Sequence, residues 1–205
     1  MSLARVYPIV DSAAWVARLV PLGVRLVQLR IKDQPIDYVG AQIGAARRIC
    51  RDAGAQLVVN DYWRLAIAQG CDWVHLGQTD LDDADIAALR GASVRLGIST
   101  HDEAELARAL ALQPDYVALG PIYPTLLKQM PWAPQGLARL GEWKRRVGTL
   151  PLVAIGGLTL ERLAGVFAAG ADCAAVVTDV VRHPEPEQRM RAWLAAAAAP
   201  WAAAS

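Results

Sequence analysis

The chain has 205 residues, 54% of them hydrophobic and 20% charged, a composition that supports one globular domain with a sizeable core and excludes a disordered chain. Lys and Arg total 21 against 20 Asp and Glu, so the formal charge of +1 excludes a broadly basic nucleic-acid or membrane surface. Any anion site must be a local cluster of cations. Cys50, Cys71 and Cys173 are odd in number and far apart, which fits buried thiols in a reducing cytoplasm and neither a disulfide framework nor a zinc spacing. The N-terminus lacks the apolar core of a signal peptide, and no uncharged apolar run reaches the ~18 residues that a membrane span needs.

The first predicted strand covers residues 5–10 and runs into Val10-Asp-Ser-Ala-Ala-Trp15, a turn without glycine. The second, residues 25–29, continues as Gln28-Leu-Arg-Ile-Lys32, where strand periodicity puts Gln28, Arg30 and Lys32 on one face. The third, residues 56–59, ends on Asn60 and Asp61, and the fourth, residues 73–76, carries His75 and is followed by Gln78 and Asp80. The fifth, residues 94–98, leads to Ser99, Thr100 and His101, and Thr100 with Glu103 reads as a capping box for the helical pattern over 104–112. The sixth, residues 115–119, enters a loop with Gly120, Pro121, Pro124, Thr125 and Lys128. The seventh, residues 151–155, precedes Gly156 and Gly157, and the eighth, residues 173–178, ends on Val177 and Thr178. Gly54, Gly70 and Gly170 each stand just before a strand, where helices end.

Eight strands alternating with helices, roughly 25 residues apart, predict an α/β fold, a single-domain (β/α)8 TIM barrel over residues 1–194. Residues 195–205 read as an alanine-rich C-terminal tail. A doubly wound sheet would want a glycine-rich dinucleotide turn after strand one, and none is there. Barrel enzymes place their sites at the C-terminal ends of the strands, and the unusual polar residues of this chain fall at those ends.

Arg30 and Lys32 together call for an anion, or else for ion pairs with Asp61 or Asp80. Asp61 and Asp80 suit Mg²⁺, which takes one or two carboxylates plus phosphate oxygens and water, whereas Asp61 alone could cap a helix. Gly156-Gly157 and Thr178 lie where many barrels bind phosphate on backbone N–H groups, although paired glycines also simply turn a chain. His75 reads as a hydrogen-bonded layer residue, His101 as part of a helix-start turn and His183 as a loop residue. Asp102, Glu103 and Glu105 read as a solvated first helical turn, and Trp63 and Trp132 as packing groups.

In order, Gln28-Leu-Arg-Ile-Lys32, Asn60-Asp61, Val74-His-Leu-Gly-Gln78 with Asp80, Gly97-Ile-Ser-Thr100, Gly120-Pro-Ile-Tyr-Pro-Thr125 with Lys128, and Ile155-Gly-Gly157 make a pattern that resembles the thiamine-phosphate synthase family over nearly the whole chain. The resemblance implies a cytoplasmic transferase that couples 4-amino-2-methyl-5-hydroxymethylpyrimidine diphosphate to 4-methyl-5-(2-hydroxyethyl)thiazole phosphate and releases pyrophosphate. It implies that Gln28, Arg30, Lys32 and Asn60 hold the pyrimidine diphosphate, and that Asp61 and Asp80 ligate Mg²⁺. Ser99 and Lys128 would contact the pyrimidine or its diphosphate, and Thr125, Gly157, Val177 and Thr178 would surround the thiazole phosphate. Arg30, Lys32, Lys128 and Ser99 are the implied catalytic group. Small molecules are the implied partners, with no nucleic acid or membrane and with room for a homo-oligomer. Two departures stand out. Leu127 replaces the second threonine of the family's Pro-Thr-x-Thr-Lys, and Thr178 replaces a serine. The rival readings are a thiazole tautomerase-like isomerase and a non-catalytic barrel that binds thiazole or thiamine phosphate.

Overall fold

The computed structural model describes residues 3–125 and 132–199. Eight parallel strands close into a barrel in chain order: β1 (Val6–Val10), β2 (Leu26–Leu29), β3 (Gln56–Asn60), β4 (Trp73–Leu76), β5 (Arg95–Thr100), β6 (Tyr116–Leu119), β7 (Leu152–Ala154) and β8 (Cys173–Val176). β8 returns to β1 through Val6–Ala174, Tyr7–Ala175 and Pro8–Val176. The crossovers carry α1 (Ala13–Leu19), α2 (Ile36–Asp52), α3 (Trp63–Ala68), α4 (Ile86–Gly91), α5 (Glu103–Ala111), α6 (Gly136–Val147) and α7 (Leu163–Ala168). After β8 come the short α8 (Thr178–Val181) and then α9 (Pro186–Ala198). The expected barrel is therefore formed, and among the described residues no helix is long and apolar enough to cross a membrane.

The period of two along each strand divides the apolar residues between two cores. Val27, Leu29, Val59, Val74, Leu76, Ile98, Val117 and Leu119 face outward and pack beneath the helices with Ile43, Leu89, Leu106, Leu140 and Val166. Tyr7, Ile9, Leu26, Val58, Trp73, Tyr116, Val153 and Cys173 fill the barrel interior. Gly97 makes room for that filling, since a Cβ there would stand 2.0 Å from Cζ of Tyr116. Burial of this kind contributes about 1.5–3 kcal/mol for each large apolar side chain.

Two sequence expectations shift. Thr100 does not cap a helix: β5 runs through it, and its buried hydroxyl donates to Ala118 O (3.0 Å) and accepts from Trp143 Nε1 (3.0 Å). The cap of α5 is Asp102, whose Oδ1 accepts from Glu105 N (2.9 Å). Strand eight stops at Val176, so Val177 is the N-cap of α8 and Thr178 its first residue. The alanine-rich C-terminus begins as helix, because α9 continues to Ala198, while residues 200–205 lie outside the described residues. Arg5 Nη1 fastens that helix end to the N-terminal side of the barrel by donating to Ala197 O and Ala199 O, each at 3.2 Å.

Candidate active site

A cavity of about 840 Å³ opens at the C-terminal ends of the strands. It is lined by Gln28, Arg30, Lys32, Asn60, Asp61, Asp80, Ser99, Thr125, Gly157, Val177 and Thr178, so every predicted site residue within the described residues meets in one place. Leu127 and Lys128 lie outside the described residues.

The inward parity of β2 explains the cationic side. Leu29 and Ile31 turn outward and are buried, while Gln28 is buried inward and Arg30 and Lys32, one and two turns of the pleat further on, reach the exposed rim. Lys32 Nζ forms an ion pair with Asp61 Oδ2, whereas among the described residues Arg30 makes none. The pairing alternative thus holds for one of the two cations. Arg30 stays close enough to His75 for its charge to push the imidazole pKa down.

Asp61 is not a helix cap. The N-cap of α3 is Tyr62, and Asp61 adopts φ 63°, the left-handed region that non-glycine residues enter at a cost. Its N–H donates to His75 O (3.0 Å), which ties this bend to β4 and turns the carboxylate toward Asp80. Asp80 opens a short 3₁₀ turn and its Oδ2 accepts from Gly77 N at 3.1 Å. Burial raises the Asp80 pKa, and the facing Asp61 carboxylate raises it further, against smaller opposing effects from the Gly77 N–H and Lys32. Two carboxyl groups held against each other at this cost are suited to a hard divalent cation. Among the described residues there is no cluster of three or more His, Cys, Asp or Glu that could hold a metal. The pair would leave most coordination positions to ligand oxygens and water, so the donor set fits a cation that arrives with a phosphate.

The opposite wall is backbone. Gly156 and Gly157 have φ 96° and 64°, and a Cβ on Gly157 would stand 2.5 Å from Pro124 O. The turning reading of the pair has a physical basis here: the glycines turn the chain and let the loop after β6 lie directly against the loop after β7. Ile122 N and Tyr123 N donate to Ile155 O (2.9 Å) and Gly156 O (3.0 Å) and fix that contact. Behind it, Asp179 in α8 accepts from Trp193 Nε1 (2.7 Å) and from Arg189 Nε (2.9 Å), which anchors the turn that carries Val177 and Thr178.

Sequence reasoning missed several groups. Tyr7 lines the cavity, and its Oη lies 2.9 Å from the buried Oη of Tyr116. His101 does more than start a helix: it stacks on Trp132 at 5.4 Å with an interplanar angle of 8°. Its Nδ1 faces Glu105 Oε2 at 2.7 Å, so Glu105 is not simply solvated, and Trp132 lines the cavity instead of only packing. Asp11, which follows β1, also lines the cavity, and the strand-end rule that found the other polar residues would have found it.

His75 is a hydrogen-bonded layer residue, as expected. Its Nδ1 meets Tyr116 Oη and its Nε2 meets Ser99 Oγ, both at 2.8 Å. Burial, with a smaller push from Arg30 and an opposing pull from Asp80, lowers its pKa from 6.5 to about 4. The unfolded chain therefore binds a proton that the folded chain refuses between those two values. Stability is complete above the unfolded value and falls as pH drops toward the folded one. Acidification from pH 7 to 4.5 is expected to cost ~2–3 kcal/mol through this group. Urea unfolding at the two pH values checks this: His75→Asn should remove that part of the loss, and an unchanged difference would contradict it.

A closed (β/α)8 barrel with a single mouth lined by cations, paired carboxylates and a glycine turn has the architecture of a barrel enzyme that handles phosphorylated ligands. The family model described as Thiamine monophosphate synthase matches residues 6–180. A thiamine-phosphate synthase of Rhizobium etli is 62% identical over 201 residues, covering 98% of each chain. One of Serratia proteamaculans is 49% identical over 179 residues, covering 87% of this chain and 84% of its own. The solved structure of a thiamine phosphate pyrophosphorylase from Pyrococcus furiosus superposes with a TM-score of 0.83 at 25% identity, covering 94% of this chain and 95% of its own. The chain belongs to the thiamine-phosphate synthase family, and it is an enzyme of the transferase class acting in thiamine biosynthesis.

Proposed function

We propose that the chain joins 4-amino-2-methyl-5-hydroxymethylpyrimidine diphosphate to 4-methyl-5-(2-hydroxyethyl)thiazole phosphate, giving thiamine phosphate and pyrophosphate. The observation that carries this reading is the division of one cavity into a cation-and-carboxylate wall and a glycine-backbone wall, a separate place for each of two phosphorylated ligands. The methylene–oxygen bond of the pyrimidine substrate breaks, and its electron pair leaves with pyrophosphate. The ring nitrogen of the thiazole then attacks the methylene carbon and forms the new C–N bond. The electron-rich aminopyrimidine stabilises the developing cation itself, so the chain needs no acid–base dyad.

In this reading Arg30 and Lys32 neutralise the leaving group as its charge grows, the kind of electrostatic work that preorganised groups do at low reorganisation cost. Lys128 is assigned the same task on the resemblance. Asp61 and Asp80 would hold Mg²⁺, which neutralises diphosphate oxygens when bound. Asn60 and Gln28 orient the pyrimidine, and Ser99 contacts it. Thr125, Gly157, Val177 and Thr178 hold the thiazole phosphate. The test is steady-state pyrophosphate release with both substrates. Release that requires both supports the synthase. Isomerisation of a thiazole carboxylate phosphate without pyrophosphate would mark a tautomerase-like isomerase instead, and binding without turnover a non-catalytic barrel.

Leu127 stands where the resemblance places a threonine hydroxyl. A missing hydrogen bond costs about 0.5–1.5 kcal/mol, and about twice that when the acceptor is charged. The enzyme is therefore expected to be active but impaired, and Leu127→Thr to raise kcat/KM by about tenfold. No change in either kcat or KM would mean that position 127 faces away from both substrates.

A further inference from the structure

Gln28 and Ser99 both line the cavity, and an unbroken chain of hydrogen bonds joins them through the barrel interior. Gln28 Nε2 donates to Tyr7 Oη (2.9 Å), Tyr7 Oη meets Tyr116 Oη (2.9 Å), Tyr116 Oη meets His75 Nδ1 (2.8 Å), and His75 Nε2 meets Ser99 Oγ (2.8 Å). Tyr7 and Tyr116 are 1% and 0% exposed, so protein partners and not bulk water must satisfy their hydroxyls.

With the Gln28 amide oriented as it is, the chemistry of the links leaves one direction for the chain. A phenol has one proton to give, and a neutral imidazole donates from one nitrogen and accepts at the other. Because the Gln28 amide gives an N–H to Tyr7, the Tyr7 proton goes to Tyr116 and the Tyr116 proton goes to Nδ1 of His75. Nε2 then carries the imidazole proton and donates it to Ser99 Oγ, and the proton of Ser99 is left for an acceptor in the cavity. At the other end, the amide oxygen of Gln28 is what remains to offer a ligand. Reversing the amide would reverse every link and both ends at once. His75 is buried with a hydroxyl partner at each ring nitrogen, and a neutral ring is the condition for either direction.

We propose that Tyr7, Tyr116 and His75 are positioning residues that fix Ser99 as a donor and Gln28 as an acceptor, so that the site selects a heteroaromatic ring bearing an amino group and an unprotonated ring nitrogen over its oxo counterpart. The amino group gives an N–H to Gln28, and the ring nitrogen accepts from Ser99. An oxo ring with a protonated nitrogen offers the opposite pattern at both places and would suit only the reversed chain. The choice of ring rests on the proposed function, whereas the direction of the chain does not.

The experiment has two readouts. The first is ¹⁵N NMR of histidine-labelled, ligand-free protein at neutral pH, with His75 assigned by the signals lost in His75→Asn. The expected result is a proton on Nε2 and a hydrogen-bonded, unprotonated Nδ1. A proton on Nδ1 overturns the proposal, whatever the enzyme's activity. The second is binding of the aminopyrimidine diphosphate against its 4-oxo analogue, measured without the thiazole so that no turnover is needed. Wild type should prefer the amino compound by ~10²-fold, the scale of mispairing buried polar groups. Tyr7→Phe disconnects Gln28 while leaving Tyr116 to donate to His75, so it should keep the His75 tautomer and reduce the preference below about tenfold. Tyr116→Phe should also loosen the tautomer. A preference unchanged in Tyr7→Phe overturns the proposal, and should either variant fail to fold, the wild-type tautomer and the wild-type preference still decide. Failure of pyrophosphate release with both outcomes intact would sink the proposed reaction alone.

Discussion

Asp61→Asn is expected to lower turnover by ~10²-fold with the fold intact, the scale of losing one preorganised charge contact in a catalytic site. The fold should survive because asparagine is among the few residues that tolerate the left-handed backbone found at Asp61, φ 63°. The bond from Asp61 N to His75 O involves only backbone and is untouched by the change. What is lost is one of two facing carboxylates, which leaves Asp80 alone at the proposed Mg²⁺ site. Lys32 also loses its partner at the rim. Asp80 is relieved of the like charge that raises its pKa, so its titration should move down toward that of an ordinary carboxylate. The measurement pairs steady-state turnover over a Mg²⁺ titration with thermal unfolding. Turnover that recovers at high Mg²⁺ would locate the loss in cation affinity. Turnover that survives chelation by EDTA in wild type would refute the metal assignment outright.

The barrel was legible because parallel strands buried on both faces leave short apolar runs, and because their spacing is set by one helix and two turns per repeat. The rim was legible for a related reason: polar residues that serve no core must stand where the strands end. Asn60, Ser99 and Gln28 follow directly from that parity. Helix starts were less so. Thr100-His-Asp-Glu103 and Asp102-Glu-Ala-Glu105 both satisfy a capping pattern, and the second wins because Ala118 and Trp143 engage the Thr100 hydroxyl. That competition depends on residues 18 and 43 positions away, which no local pattern contains. The Tyr7–Tyr116 contact was invisible for the same reason, since 109 positions separate the two hydroxyls. Asp61 is intermediate. Its place at a strand end was readable, but its backbone conformation, which decides between helix cap and site residue, was not.

Arg30→Ala and Lys32→Ala are each expected to slow turnover by ~10- to 100-fold, yet they should part company when the divalent cation is titrated alone. Both side chains are exposed at the rim, so part of each contact is screened by solvent and the effect falls below that of a buried donor. Lys32 occupies the Asp61 carboxylate and would compete there with the proposed cation, whereas Arg30 makes no ion pair among the described residues. An ion pair as open as Lys32–Asp61, with side chains 44% and 16% exposed, contributes about 0–1 kcal/mol. Lys32→Ala should therefore tighten Mg²⁺ binding to the substrate-free enzyme by up to about fivefold, and Arg30→Ala should leave it unchanged. Arg30→Ala should instead raise the His75 pKa slightly, since the guanidinium charge is one of the causes that hold it low. Thiazole phosphate affinity should change little in either variant, because that ligand is assigned to the glycine wall across the cavity. Calorimetric titration with Mg²⁺ and then with each substrate separates these outcomes. Equal losses of affinity for the pyrimidine diphosphate and the thiazole phosphate would mean that the two walls have been assigned to the wrong ligands.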